Sequence, residues 1–266
     1  MKKTILVFLL FIFLGAAMMA QPKTIRVATF NMGQLSMGKE EHTAIMFEER
    51  SKKHEVFKRL FSIVNADIFC FCEFPDYFSL LEDSTVNYAD KTKSLLSEYN
   101  YFIQGAKVGK RCNVIASKSI PLTEQKSVHF TINNKKSRIY YLQAKIDIDN
   151  KSVKLIDVHL DVPKYKENRD KEIRELIDTF KYDEYVIICG DFNVAKTSEY
   201  DAFRGTGYVL ANHGEYGDII THPWKNGGGT CIDNIICKGF DIEMVQTYNA
   251  NLSDHVAISC DLIIKK

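Results

Sequence analysis

The chain has 266 residues, 45% hydrophobic and 26% charged, which is the composition of a globular protein with one sizeable core or two small ones. Its 35 basic and 34 acidic residues leave a net charge of +1, so nothing in the composition indicates a dedicated polyanion-binding surface. The seven cysteines are odd in number and irregularly spaced, which argues against a disulfide scaffold.

The first twenty residues have the pattern of a secretory signal peptide. Lys2 and Lys3 precede an apolar run from Ile5 to Met19, and small residues follow. A single membrane anchor is the alternative, but the run is short for a bilayer span. We therefore expect a signal peptide over residues 1–20, export to the periplasm or the medium, and one domain over residues 23–266 without a further membrane span.

Strand-like runs dominate the rest of the chain, with two clear amphipathic helices between them. Helices are predicted over 40–66 and 166–180, and residues 93–102 indicate a helix that runs into a strand. Strands are predicted over 23–32, 67–74, 111–117, 126–132, 137–148, 152–162, 185–194, 231–240, 242–248 and 255–265. The pattern indicates an α+β fold with two packed sheets and helices outside them.

Polar residues stand at one end of several of these apolar strands. Five of them follow a strand-like run, namely Asn31, Glu73, His159, Asp191 and Asn193, and three precede or begin one, namely Asp233, Asp254 and His255. A single Asp or Asn at a strand end is more often a turn residue than a catalyst. Because so many strand ends share the feature, and strand ends on one sheet edge can converge, we expect these side chains to line a common pocket.

The residue types at these positions favour phosphate chemistry at a metal ion. Carboxylate and carboxamide oxygens are hard ligands that suit Mg²⁺, with Mn²⁺ or Ca²⁺ as alternatives, better than zinc. The two histidines suit a phosphoryl oxygen, either as cations or as hydrogen-bonding groups. Hydrolysis of a phosphate ester needs charge neutralisation and an activated water, which such a set supplies. Nucleophilic serine motifs, Walker loops and dinucleotide fingerprints were not found.

Seven segments in order resemble the motifs of the endonuclease/exonuclease/phosphatase superfamily, which includes deoxyribonuclease I. They are "TFNMG", "ADIFCFCEF", "NVIASKSIP", "VHLDV", "GDFN", "IDNII" and "SDHVAI". The resemblance runs from about Ile25 to Leu262. It implies a four-layered α/β-sandwich, in which two mixed β-sheets pack face to face with helices on both outer sides.

The resemblance also implies a role for each strand-end residue. Glu73 matches the metal-binding carboxylate, with Asn31 beside it and Asp254 as a further metal-site carboxylate. Asp191 matches the residue that orients or deprotonates the attacking water. Asn193 matches the residue that holds the phosphate and Asp191, and His255 matches the histidine on the scissile phosphate. Asp233 matches the carboxylate that pairs with His255, and His159 matches a second histidine of the family.

The implied activity is hydrolysis of a phosphate ester, and a diester is favoured over a monoester as the substrate. The substrate is open between a nucleic acid, a phospholipid head group and a small phosphoester. A phosphomonoesterase acting on sugar or inositol phosphates, a sphingomyelinase-like phospholipid hydrolase and a silent binding protein on the same fold are the alternatives. Departures from the family pattern at Cys72, Cys112, Gly33 and Asn234 remove no implied catalytic group, but they argue against the abasic-repair branch. We expect a monomer without an obligate protein partner.

Overall fold

The computed structural model describes residues 24–33, 55–75, 95–108, 111–131, 140–249 and 253–265. The predicted signal peptide and the first part of the helix predicted over 40–66 lie outside these ranges. Within them, no helix is both long enough and apolar enough to span a bilayer.

Fourteen strands and two α-helices of more than one turn make up the regular structure of the described ranges, together with 3-10 segments at Pro163–Tyr165 and Thr197–Phe203. Helix α1 comprises residues 55–64 and helix α2 comprises Lys166–Thr179. The strands are β1 (Thr24–Asn31), β2 (Ile68–Pro75), β3 (Tyr101–Gln104), β4 (Arg111–Ser117), β5 (Thr123–His129), β6 (Tyr140–Ile148), β7 (Lys151–His159), β8 (Val186–Asp191), β9 (Tyr208–Leu210), β10 (His222–Pro223), β11 (Gly229–Thr230), β12 (Asp233–Lys238), β13 (Phe240–Tyr248) and β14 (Ala257–Ile264).

These strands form two six-stranded mixed sheets and one short hairpin. The first sheet has the order β13-β14-β1-β2-β4-β3 and the second has the order β5-β6-β7-β8-β12-β9. The pairs β1–β2 and β7–β8 are parallel, whereas their other neighbours are antiparallel. Strands β10 and β11 pair only with each other. The prediction of two mixed sheets is confirmed.

The two sheets pack face to face, and a helix covers the outer side of each. Successive strand residues point to opposite faces, so Val27 of β1 and Ile187 of β8 lie in the core between the sheets. Phe30 of β1 packs outward against α1, and Ile188 of β8 packs outward in the core that α2 covers. The resulting layers of helix, sheet, sheet and helix confirm the predicted four-layered sandwich.

Helix α1 buries only part of the apolar face predicted for it. Its buried residues are spaced at i, i+3, i+4 and i+7, namely Phe57, Leu60, Phe61 and Val64. Val56 and Ile63 each precede one of these by one residue and therefore lie on another side of the helix, 40% and 58% exposed. Strands β9, β10 and β11 were missed, because two or three residues at a sheet edge or in a hairpin leave no period to detect.

All seven cysteines are buried and unbridged. Six of them lie in strands and Cys231 precedes β12 by two residues, and in such buried places a thiol packs as a small hydrophobe. The sandwich therefore holds together without a covalent cross-link between these residues.

Gly190 in β8 allows the closest backbone approach near the carboxyl end of the second sheet. Its φ is +135°, and a β-carbon at this position would lie 1.9 Å from the carbonyl oxygen of Val158 in β7. Only glycine satisfies both conditions, because L-residues avoid this φ and a β-carbon has no room there.

We expect Gly190→Ala to lower the free energy of unfolding by about 3 kcal/mol or more, because the new β-carbon would force the backbone of β7 to move in addition to straining its own. Gly205→Ala is the matched control, because Gly205 also has a positive φ, +72°, but a β-carbon added there would have no other atom within 4 Å. The control should lose only about 1 kcal/mol. Urea unfolding followed by circular dichroism measures both, and equal losses would contradict the steric argument.

Candidate active site

Three polar side chains lie side by side at the end of the core between the sheets. In the strand register Asp191 of β8 is opposite His159 of β7 on one side and Asp233 of β12 on the other. All three continue the inward-facing rows that contain Leu155 and Ile187. The row is therefore a polar extension of the apolar core, held by the backbone pairing of three adjacent strands.

The buried carboxylate of Asp191 accepts hydrogen bonds on both oxygens. Nδ2 of Asn31, from the first sheet, donates to Oδ2 at 2.9 Å, and the backbone N–H of Asn193 donates to Oδ1 at 2.8 Å. Burial, and after it the charge of Asp233, raise the pKa of the Asp191 carboxyl above its ordinary value. An oriented carboxylate with a raised pKa is a better acceptor for a proton from water than an exposed one.

His255 forms a second pair with Asp233, which lies behind the histidine ring. Its Nδ1 lies 2.8 Å from Oδ2 of Asp233, and its Nε2 lies 3.9 Å from Oδ2 of Asp191. Burial disfavours the charged ring, but the attraction and hydrogen bond of Asp233 outweigh it and raise the pKa of His255 to about 10. His255 is therefore an imidazolium at neutral pH, with one N–H directed to the Asp233 carboxylate and the other ring nitrogen near Asp191.

Backbone and hydroxyl contacts fix this pair. The Ser253 hydroxyl donates to the backbone oxygen of Asn31 at 2.8 Å and accepts the backbone N–H of His255 at 3.0 Å. The Thr221 hydroxyl accepts the backbone N–H of Asp233 at 2.9 Å. The backbone of His255 is thus tied to Asn31 through the Ser253 hydroxyl, whereas the Asp191 carboxylate is tied to Asn31 directly.

His159 has the opposite charge state. Its Nε2 lies 3.6 Å from Oδ2 of Asp191. Burial lowers the pKa of His159 to about 4, although the nearby Asp191 carboxylate acts in the other direction. The site therefore contains one cationic histidine, His255, and one neutral histidine that can donate a hydrogen bond from one ring nitrogen and accept one at the other.

Asp157 lies on the same inward-facing row as His159, two residues deeper. Its side chain is fully buried, and the Cys72 thiol lies 3.7 Å from its Oδ1. Burial raises the pKa of Asp157 well above its ordinary value, because a charged carboxylate is disfavoured in this environment.

Two of the predicted site residues have a left-handed backbone. Glu73 has a φ of +51° at the point where the register between β2 and β4 shifts, and Asn193 has a φ of +50° directly after β8. A bulge or strand exit of this kind re-aims one side chain relative to the regular alternation. Asn193 uses its new direction to donate from Nδ2 to the backbone oxygen of Leu160 at 3.0 Å. Non-glycine residues in this region carry strain, which clusters at functional sites.

A single cavity of about 470 Å³ joins the predicted site residues. Every one of them lines it except Asp233, which is fully buried behind His255. The structure therefore brings together all eight side chains that the strand ends indicated. Phe192 points into the outer core under α2, whereas its neighbours Asp191 and Asn193 line the cavity.

Of the other residues that line the cavity, three have a charged or aromatic side chain and were not predicted as site residues. Arg111 contacts Glu73 through an ion pair, His222 has its Nε2 3.8 Å from Oδ2 of Asp254, and Trp224 forms part of the wall. The first begins a strand whose later residues are buried, and the other two lie in the loop-rich segment before β12.

The oxygen donors of the cavity fit a hard divalent ion. Glu73 and Asp254 offer carboxylates and Asn31 a carboxamide oxygen, and Mg²⁺ needs only one or two carboxylates because it keeps several waters. Among the described residues, two groups have ligand atoms within 4.8 Å of one another, and neither includes Glu73. They are His222, Asp254 and His255, and Asp191, Asp233 and His255.

Comparison with known proteins gives one family and one fold. The family model described as "Endonuclease/Exonuclease/phosphatase family" matches residues 28–255. No curated protein matches the chain significantly by sequence.

Solved structures with the same fold have low sequence identity to this chain. TDP2 of D. rerio in complex with a single-strand DNA product has a TM-score of 0.70 at 15% identity, covering 90% of this chain and 99% of that one. A family protein of Bacteroides thetaiotaomicron has 0.67 at 16%, covering 92% and 100%. The human Nocturnin catalytic domain with bound sulfate has 0.66 at 14%, covering 91% and 95%. At these identities the likeness shows the fold alone.

Replacing Asp233 by Asn should move the titration of His255 into the neutral range. The amide has no charge to stabilise the imidazolium, so the pKa of His255 should fall by about two units or more, towards its ordinary value. NMR of the ring protons measures this directly.

Asp218→Asn is the matched control, because His213 and Asp218 form a similar Nδ1–carboxylate pair at 2.6 Å outside the cavity. This control should leave the titration of His255 unchanged. An unchanged His255 titration in Asp233→Asn would show that Asp233 does not hold the charge.

Proposed function

The chain belongs to the endonuclease/exonuclease/phosphatase family, and from that premise we propose that it is a divalent-metal-dependent hydrolase of phosphate esters, acting on a diester. The observation that carries the proposal is the pairing of an oriented, buried Asp191 carboxylate with a charged His255 at 3.9 Å in one cavity. A base for water and a cation for the phosphate are the two charges that this reaction needs on the protein.

The chemistry of the protein side chains follows from these charges. Asp191, held by Asn31 and by the backbone of Asn193, orients a water molecule and accepts its proton as the water oxygen bonds to phosphorus. The bond between phosphorus and the leaving ester oxygen breaks in the same displacement, and that oxygen departs as an anion that can take a proton from solvent. The imidazolium of His255 donates a hydrogen bond to a non-bridging phosphate oxygen, where negative charge increases in the transition state. Asp233 keeps that ring charged, and neutral His159 supplies a hydrogen bond beside Asp191.

A divalent ion fits this mechanism as a source of further positive charge. Glu73, with Asp254 and Asn31, would hold it, and Mg²⁺ or Mn²⁺ suits these oxygen ligands. When bound, such an ion neutralises phosphate charge and lowers the pKa of a coordinated water.

The walls of the cavity support an ester that carries an organic group. Trp224, half exposed, stands on the β10–β11 hairpin, and Val162 and Ile232 add apolar surface. Bound single-strand DNA product is part of the solved D. rerio TDP2 complex, which is consistent with a nucleotide-like ester here.

Export also belongs to the proposal. It rests on the signal-like pattern of residues 1–20, which lie outside the described residues. The single domain over residues 23–266 and the monomeric state also stay predictions. N-terminal sequencing of the protein recovered from the medium or periplasm identifies the processed end. Absence of the protein from both fractions would contradict export, and an intact leader there would contradict cleavage.

His255→Ala and Asp191→Asn should each lower turnover of bis-p-nitrophenyl phosphate with Mg²⁺ by about a hundredfold or more, the usual scale for losing a charge stabiliser or a base. EDTA should abolish the wild-type activity. His213→Ala and Asp218→Asn change the same residue types outside the cavity and should retain near-normal rates. Near-normal turnover in either site variant would disprove the assigned roles, and no wild-type turnover on any phosphoester with Mg²⁺ or Mn²⁺ would favour a silent binding protein.

Trp224→Ala should lower kcat/KM about tenfold for bis-p-nitrophenyl phosphate, because stacking on an aromatic wall contributes roughly 1–3 kcal/mol per ring. The loss should be much smaller for methyl p-nitrophenyl phosphate when the methyl group occupies that wall. Tyr182→Ala removes an aromatic ring that is 90% exposed elsewhere and serves as control. No loss on either ester would show that Trp224 does not contact the organic group.

A further inference from the structure

Arg111 places a permanent positive charge against the carboxylate assigned to the metal. Its Nη1 donates to Oε1 of Glu73, and the side chains are 27% and 9% exposed. Among the described residues that line the cavity, Arg111 is the only lysine or arginine. The carboxylate that would bind a cation is thus already paired with one.

The local backbone brings these two residues together. Arg111 begins β4 opposite Pro75 of β2, and the register between the strands shifts between Phe71 and Phe74. Glu73 lies in this shift with its left-handed φ. A regular pairing would alternate side chains between the faces, so the bulge is what directs the carboxylate of Glu73 to Arg111.

Arg111 also acts on the reacting end of the cavity. Burial is the main cause of the low pKa of His159, and the Asp191 carboxylate acts against it. The positive charge of Arg111 lowers this pKa further. It lines the same cavity as Asp191 and His255. A guanidinium on a flexible side chain at this position needs only a change of rotamer to leave Glu73 for a ligand between these groups.

We propose that Arg111 is a phosphate-binding residue that exchanges partners, pairing with Glu73 in the metal-free protein and with a non-bridging phosphate oxygen once a divalent cation occupies Glu73. The inference rests on the proposed function. A guanidinium and a metal ion compete for one carboxylate and repel each other, and the planar fork of arginine matches phosphate geometry.

The exchange predicts two effects of opposite sign. Removing the guanidinium removes a competitor, so a divalent ion should bind more tightly. The same change removes a phosphate ligand, so phosphate should bind more weakly. A purely structural role for Arg111 would weaken both or change neither.

The test uses Arg111→Gln and direct binding measurements. Mn²⁺ binding is followed by electron paramagnetic resonance, and inorganic phosphate binding to the Mn²⁺-saturated protein by calorimetry. We expect Mn²⁺ to bind about fivefold more tightly and phosphate about tenfold more weakly than in the wild type. Arg111→Lys keeps the charge but loses the fork, so its Mn²⁺ affinity should stay near that of the wild type while phosphate binding weakens.

Two controls separate the alternatives. Arg204→Gln removes an exposed arginine that pairs with Asp201 and should change neither affinity. Glu73→Gln should weaken Mn²⁺ binding. Unchanged or weaker Mn²⁺ binding in folded Arg111→Gln, or unchanged phosphate binding, would overturn the exchange. Because neither measurement needs turnover, the opposite shifts in a protein that hydrolyses no ester would keep this inference and reject the proposed function.

Discussion

The hydrogen bond from Asn31 to Asp191 is the contact on which the site depends, because it joins the two sheets. Asn31 ends β1, a central strand of the first sheet, and Asp191 ends β8, a central strand of the second, and 2.9 Å separates their side-chain atoms. A buried carboxylate is costly unless it is hydrogen-bonded. The packing of the two sheets therefore supplies a partner that neither sheet supplies alone, and the cavity geometry follows from the sandwich itself.

Around this contact, the protein keeps two histidines in different charge states within a few ångströms of one carboxylate. His255 has a buried carboxylate of its own, Asp233, and so stays charged. His159 has no such partner at hydrogen-bonding distance among the described residues; its nearest carboxylate, Asp191, lies 3.6 Å away, and burial keeps it neutral. The difference comes from how closely a carboxylate approaches each ring, so residue type alone would not have distinguished their charge states.

Much of the fold and the site could be predicted from the sequence, because the same alternation that makes a strand buried also determines where its last residue points. The runs before Asn31, Asp191 and His159 predicted both the core and the polar row at its end. Arg111 could not be found in this way, since its contact with Glu73 depends on a bulge, and a bulge breaks the period that sequence analysis follows. His222 lies on a two-residue strand, which is too short to carry a pattern.

The left-handed backbones of Glu73 and Asn193 have a consequence for how this protein can evolve. At either position a glycine would relieve the strain of the main chain, but it would remove a side chain that lines the cavity and contacts a neighbour, Arg111 for Glu73 and Leu160 for Asn193. A substitution that eases the backbone there also empties part of the cavity wall, so backbone strain and the lining of the cavity are in conflict at these two positions.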